Sequence, residues 1–346
     1  GTLVLRSNYL QNQALSQMQR LALDRLGATT HLMLSLERGG YLDRKLEGLP
    51  DNDTIQERAV HGVGLTRPEL AVLLSYSKIA LYQELLDSEV PEDAYLRLDL
   101  AGYFPQPLKD SYEQVMEHHP LRREIIATSV TNSMVNRMGA SFVTRVREDT
   151  GADNASIAKA YTIAREVFES RRFWRNVEKL DAEVSAEVQL DALHEMWDVV
   201  RHATRWLLNR PGVGRLDIQQ QVSRLAPGIH ELREVLDTVI PESQRDRYEQ
   251  TREHYEDAGF PAALARETAL LRFTHVGLDI VDEASCQDLP VIEVLTTYFR
   301  VGEALDIGWL REQIETLPTR GTWDAHARGH LRNDLTTQHR ALTNQV

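Results

Sequence analysis

Residues 64–86, GLTRPELAVLLSYSKIALYQELL, decide the fold class of this 346-residue chain. Thr66 and Glu69 stand three residues apart, ahead of an apolar run. Each can satisfy the other's free amide, a capping box that fixes where a helix begins. Pro68 falls in the first turn, where its missing N–H costs nothing. Leu70, Leu73, Leu74, Ser77, Leu81 and Leu85 then return at helical spacing and mark one face for burial.

The same period runs from end to end, and no stretch alternates apolar and polar residues between turn signals. An all-α, multi-helical fold is therefore expected, with no Rossmann sheet. Spacing and punctuation predict a long first helix over 3–26, a second over 30–38 stopped by Gly39 and Gly40, a third over 54–61, then the capped helix and one started by Pro91. Gly102, Phe104, Pro105 and Pro107 predict a rigid, irregular crossing. Helices follow over 113–118, over 121–138 with Gly139 as a left-handed cap, over 141–148, and over 156–168 capped by Asp153 or Asn154. Beyond Asp181 the helices become more charged and carry tryptophans. Residues 184–209 read as one long helix, 216–255 as three or four interrupted at Pro227 and Pro241, and Pro261 and Pro290 each start another. The polar segment 323–342 is expected to be helical and to fray or dock on a partner. The compositional break divides the chain into two helical parts, 1–180 and 181–346. No self-similarity supports a solenoid.

With 42% hydrophobic and 26% charged residues, the composition suits a soluble globular chain. The net charge of −13 opposes non-specific binding to nucleic acid, which needs lysine and arginine in excess. Apolar runs break well short of the roughly 20 residues a bilayer demands, so no membrane anchor is expected. Cys286, the single cysteine, has no partner for an internal disulfide and suits a reducing cytoplasm. Gly1 in place of an initiating methionine suits an excised fragment.

Chemistry is sparse. A dinucleotide site needs a glycine-rich turn between strand and helix; Gly62, Val63 and Gly64 lack the third glycine and any preceding strand, so a helix lead-in is expected there and no cofactor site in this segment. His326, His330 and Asp334 would share a helix face, as zinc ligands can, but the segment is polar and lacks the enclosure of a catalytic site, so a solvated face is expected. Asp191 and His194 lack a second acidic and histidine pair for a di-metal bundle site. Asp51, Asn52 and Asp53 are a meagre stand-in for the aspartate runs of magnesium–diphosphate enzymes. Ser75 and Ser77 lie within a helix and not on a nucleophile elbow, and Cys286 has no basic neighbour to activate it. Arg171, Arg172 and Arg175 read as a helix end with favourable basic residues. No catalytic, cofactor or metal ligand is assigned. The most unusual polar set is Ser129, Asn132, Ser133, Asn136 and Arg137 in one helix, where serine and asparagine compete for backbone hydrogen bonds. Two accounts stand: buried inter-helix hydrogen bonds, or an inter-domain contact in which Asn132, Asn136 and Arg137 meet another domain.

The GLTRPELAVLLSYSKI block, EIIATSVTNSMVNRMGASF at 124–142 and VLRSNYLQNQALS at 4–16 together resemble the C-terminal region of the large bacterial NAD-specific glutamate dehydrogenases. The resemblance covers at least residues 3–180 and weakens beyond Asp181. It implies a C-terminal helical domain of an oxidoreductase that converts L-glutamate, NAD and water to 2-oxoglutarate, ammonium and NADH. The catalytic site would lie upstream and NAD would bind there. The implied partners are the catalytic domain of the same polypeptide and further copies of the parent, a cytoplasmic homo-oligomer, with no nucleic acid and no membrane. The implied role is structural, assembly or regulatory, and the chain alone is expected to be inactive. An independent helical scaffold or interaction protein is the alternative.

Overall fold

The computed structural model describes residues 10–16, 18, 26–104, 115–116, 118–210, 216–318 and 322–345. Among them helix dominates and there is no strand, as the single helical period of the sequence requires. The predicted helix over 3–26 is helical at 10–16 and otherwise lies largely outside the described residues, as does half of the crossing at 102–107 and of the segment 113–118. The described residues group into two compact units, one drawn from Gly1–Ile163 with Thr204–Gln219, the other from Ala164–Ala203 with Gln220–Val346.

The first unit is built around α1 (Leu26–Arg38), α2 (Asn52–Val60), α3 (Arg67–Leu86), α4 (Arg97–Tyr103), α5 (Arg122–Met138) and α6 (Phe142–Thr150), with the start of α7 (Asn154–Val167). The capping box of α3 forms as read from sequence. Glu69 accepts the Thr66 amide at 2.6 Å, and its two carboxylate oxygens also accept from Arg58 Nη1 of α2, at 2.9 and 3.0 Å. Leu70, Leu73 and Leu85 of α3 have no exposed surface, and α5 meets the helix with Ile126, Val130 and Met134, equally buried. Each such side chain contributes about 1.5–3 kcal/mol of transfer free energy. Pro91 starts only the 3₁₀ turn Val90–Glu92. Asp93 then diverts the chain by accepting the amides of Tyr95 and Leu96 at 2.9 and 3.4 Å, so the α-helix waits until Arg97. Residue 205, at the end of α9 (Ala186–Leu208), belongs to this unit and its guanidinium pairs with Asp149 of α6.

The second unit contains α8 (Ser170–Glu178), the body of α9, α10 (Ile218–Val239), α11 (Glu242–Asp257), α12 (Ala262–Leu271), α13 (Gly277–Gln287), α14 (Val291–Ala304), α15 (Ile307–Thr316) and α16 (Thr322–Thr343). The expected interruption at Pro227 does not occur: α10 runs through it. A proline there forfeits one backbone hydrogen bond, but Leu225, Ile229, Leu232 and Leu236 are all fully buried and hold the helix together across the gap. Two glycines let α10 and α13 approach closely. A Cβ on Gly228 would lie 2.5 Å from Val281 Cγ1, and one on Gly277 would lie 2.9 Å from Ile229 Cδ1. The C-terminal helix α16 docks through His339, which is 3% exposed and stacks on Tyr298 of α14 with ring centroids 3.7 Å apart. Arg340 adds a 2.7 Å contact to Asp279 of α13.

Candidate functional site

The polar set on α5 divides in two. Ser133 is committed: its hydroxyl lies 2.9 Å from the Tyr161 hydroxyl, which also donates to the Ser133 carbonyl at 3.1 Å. Asn136 is 7% exposed and its Oδ1 is buried with no hydrogen-bond partner. Asn132 is half-buried, as is Arg137, which already interacts within the chain.

The remaining candidates resolve into structural roles. Gly62, at φ +68°, closes the end of α2, and the amides of Gly62 and Val63 are already given to the carbonyls of Ala59 and Arg58. A phosphate approaching this turn would find those two donors occupied. Asp51 caps α2 by accepting the Thr54 amide at 2.9 Å. Ser75 and Ser77 donate back to the Ala71 and Leu74 carbonyls. His194 stacks on Trp197 and lies 3.7 Å from Asp198. Burial opposes ionisation of Asp198, but Arg201, 2.7 Å away, with His194 and His202 outweighs it and holds the carboxyl below its ordinary range. Among the described residues no group of three His, Cys, Asp or Glu side chains is placed to hold a metal. His330 and Asp334 sit exposed on α16, and the His326 side chain lies outside the described residues.

The arginines at 171, 172 and 175 do not form an open basic patch. Arg171 pairs with Glu166 at 3.0 Å and Arg175 donates to the Arg171 carbonyl. Arg172 forks onto Glu267 of α12 at 3.0 and 2.9 Å and also reaches Glu169 at 3.0 Å. Arg233 of α10 closes the ring by pairing with both carboxylates. Glu169 takes the left-handed conformation, φ 47°, at the join between α7 and α8. The network thus ties that strained corner to two other helices of its unit.

The first unit also holds a feature that the sequence did not announce: a groove of about 530 Å³ between α1, α3 and α6, lined also by Asn154. Its floor is apolar, with Leu36, Leu81 and Val135 buried beneath it. Its rim is charged. Arg147 donates to Ser35 Oγ at 3.0 Å and His31 lies 3.3 Å from Glu148. Either Asp153 or Asn154 could have capped α7 on sequence grounds; Asp153 does so, accepting the Ser156 amide at 2.7 Å. The Asn154 side chain is therefore released to donate through Nδ2 to the Glu84 carboxylate, while its Oδ1 is buried without a partner. Capping preferences signal only local bonds, so a contact across 70 residues left no trace in the sequence.

The family model for the C-terminal region of glutamate dehydrogenase matches residues 62–346. The chain belongs to that glutamate dehydrogenase C-terminal family. The family match starts at the turn that leads into the capping box, so it takes in α3, α5 and all of the second unit. Over its full length the chain is 41% identical to the NAD-specific glutamate dehydrogenase of Pseudomonas aeruginosa, of which it covers 21%. It is 36% identical over 345 residues to the enzyme of that name from Halomonas elongata, covering 21% of it. Against the one from Mycobacterium tuberculosis it is 30% identical over 340 residues, covering 20%. The chain thus spans about a fifth of the length of these curated relatives. The second half, where block resemblance was weak, is included in the match.

Proposed function

We propose that this chain is the C-terminal helical part of a large NAD-dependent glutamate dehydrogenase, and that the reaction of L-glutamate, NAD and water to 2-oxoglutarate, ammonium and NADH takes place on the remainder of that polypeptide. The observation that carries the reading is the family match over 62–346 combined with a span of only a fifth of the named dehydrogenases. The candidate groups have local structural partners: the amides of the glycine turn go to α2 carbonyls, Ser75 and Ser77 bond back to their own helix, and Asp51 caps α2. The helical part braces or assembles the parent enzyme, a cytoplasmic homo-oligomer in this reading, and NAD is a cofactor of the parent.

The contact with the catalytic part is assigned to the α5 face of Asn132, Asn136 and Arg137. Support comes from Asn132 and Arg137, which are half-buried and keep polar groups within reach of a neighbouring domain. The test is direct. The purified 346-residue chain, given glutamate and NAD, should form no NADH, whereas the parent polypeptide should. NADH formation by the chain alone would overturn the assignment of the chemistry to the remainder.

A further inference from the structure

We propose that the outward face of α15, centred on Trp309, is a docking surface for the remainder of the same polypeptide, to which it presents an apolar knob inside an acidic rim. The inference rests on the reading of this chain as part of a longer dehydrogenase, and it adds a contact separate from the α5 face. Helix α15 packs on α14 and α16. Its inner side carries Ile307, Arg311 and Ile314 at helical spacing, the first buried and the other two half-buried, and Glu315 pairs with Arg332 of α16. On a surface helix the opposite side is ordinarily polar. Here it carries Trp309, 53% exposed, with Leu310 at 37% and the C-cap residue Leu317 at 42%. Among the described residues the indole N–H of Trp309 has no acceptor. Apolar side chains grouped on one exposed face mark an interaction surface, whereas singly scattered ones do not. Tryptophan, a large apolar body with one polar tip, is enriched among the residues that anchor interfaces.

Size and charge select the occupant. Trp309, Leu310 and Leu317 together expose on the order of 300 Å², well below the roughly 800 Å² per partner that holds separate chains together. A patch of that size suffices when its partner is already tethered, because linkage supplies a high effective concentration. The chain spans about a fifth of the length of its curated relatives, so a parent of that length carries such a tethered partner. Asp306 and Glu312 lie three residues to either side of Trp309, are exposed, and have no ion pair among the described residues. A second copy docking through the same face would bring these carboxylates against their own counterparts, and the net charge of −13 adds to the repulsion. The complementary surface is therefore an apolar pocket that accepts an indole and is rimmed by lysine or arginine.

Hydroxyl-radical footprinting read by mass spectrometry measures side-chain exposure directly. In the parent polypeptide, modification at Trp309, Leu310 and Leu317 should be slower than in the isolated 346-residue chain by about threefold or more, as for side chains at the desolvated centre of an interface. Trp309→Glu in the parent should return Leu310 and Leu317 to the isolated-chain rate. The same substitution in the isolated chain should leave its thermal midpoint unchanged, since the side chain is exposed there. Equal rates in parent and isolated chain would overturn the proposal. So would protection of the isolated chain that grows with its concentration, which identifies a second copy as the occupant. A parent that forms NADH from glutamate while α15 stays fully modified refutes the docking surface and leaves the dehydrogenase reading intact; a parent protected at α15 that forms no NADH does the reverse.

Discussion

Replacing Gly228 by alanine sets two effects of opposite sign against each other, and the structure says which should win. In an ordinary helix interior the change stabilises by about 1 kcal/mol, because alanine loses less backbone entropy than glycine. Here the added methyl would lie 2.5 Å from Val281 Cγ1, 3.0 Å from Cγ2 and 3.3 Å from Cβ. Valine is stiff at χ1 and its Cβ is tied to the α13 backbone, so the clash cannot be relieved by swinging a flexible tip. Helix α13 itself must move, against Leu278, Ile280 and Ala284, which are all buried. Such overpacking costs about 1–3 kcal/mol and rises when backbone shifts are required. The helix also lacks the Pro227 amide at the same turn, which leaves less local bonding to absorb a distortion. The net effect should be a loss of about 1–2 kcal/mol, read as a fall in thermal midpoint of about 2–4 °C per kcal/mol for a unit of this size. Far-UV circular dichroism of the purified chain measures it. Val281→Ala removes both close methyl carbons and should make Gly228→Ala nearly harmless in the double variant, a coupling of about 1 kcal/mol or more. A rise in midpoint for Gly228→Ala alone, or strict additivity of the two changes, would refute the close-approach argument.

Two further outcomes follow from the caps and the C-terminal dock. Glu69→Gln should destabilise the first unit by about 1 kcal/mol through the weakened capping box and the lost Arg58 ion pair, measured by denaturant unfolding. Burial alone would raise the Glu69 carboxyl, but Arg58 and the Thr66 amide outweigh it and set it below the ordinary 4.5; its contribution is therefore present above that value and lost as pH falls through the depressed one. The pH response of Glu69→Gln should be flatter than wild type in that acid window. His339 behaves alike from the other side of charge. Burial is the main cause that pushes its imidazole below 6.5, with Arg311 adding repulsion and the bond to the Tyr298 carbonyl working against both. Below pH 6.5 the unfolded chain takes up a proton that the native state refuses, so stability is full above 6.5 and declines as pH falls. Hydrogen exchange along α16 should accelerate with acidification through that range in wild type but not in His339→Leu, and an unchanged acid response in the variant would assign the effect elsewhere.

Much of the local structure was legible in the chain. The capping box of α3, the Gly139 terminus of α5 and the prolines that precede α12 and α14 are features within a few residues of each other, and residue type at fixed spacing specifies them. The same reading failed at Pro227 because proline reports only the cost of a missing amide, whereas four buried apolar residues around it supply a larger stabilisation that no local rule counts. The candidate polar set on α5 was visible as an excess of helix-weakening residues. Its division was not, since Ser133 is claimed by Tyr161 from a helix 28 residues away.

By itself the sequence determined that the described residues form helices and no strand, and where most of those helices start and stop, because hydrophobic period, caps and turns act over at most a few residues. Tertiary structure alone decided that residues 204–219 join the first unit, that Gly228 and Gly277 are needed for a close helix crossing, and that Glu84 meets Asn154 in the lining of a groove. Those outcomes depend on which apolar faces find one another across long separations, and the free energy of that packing is shared among many residues, so no short motif records it.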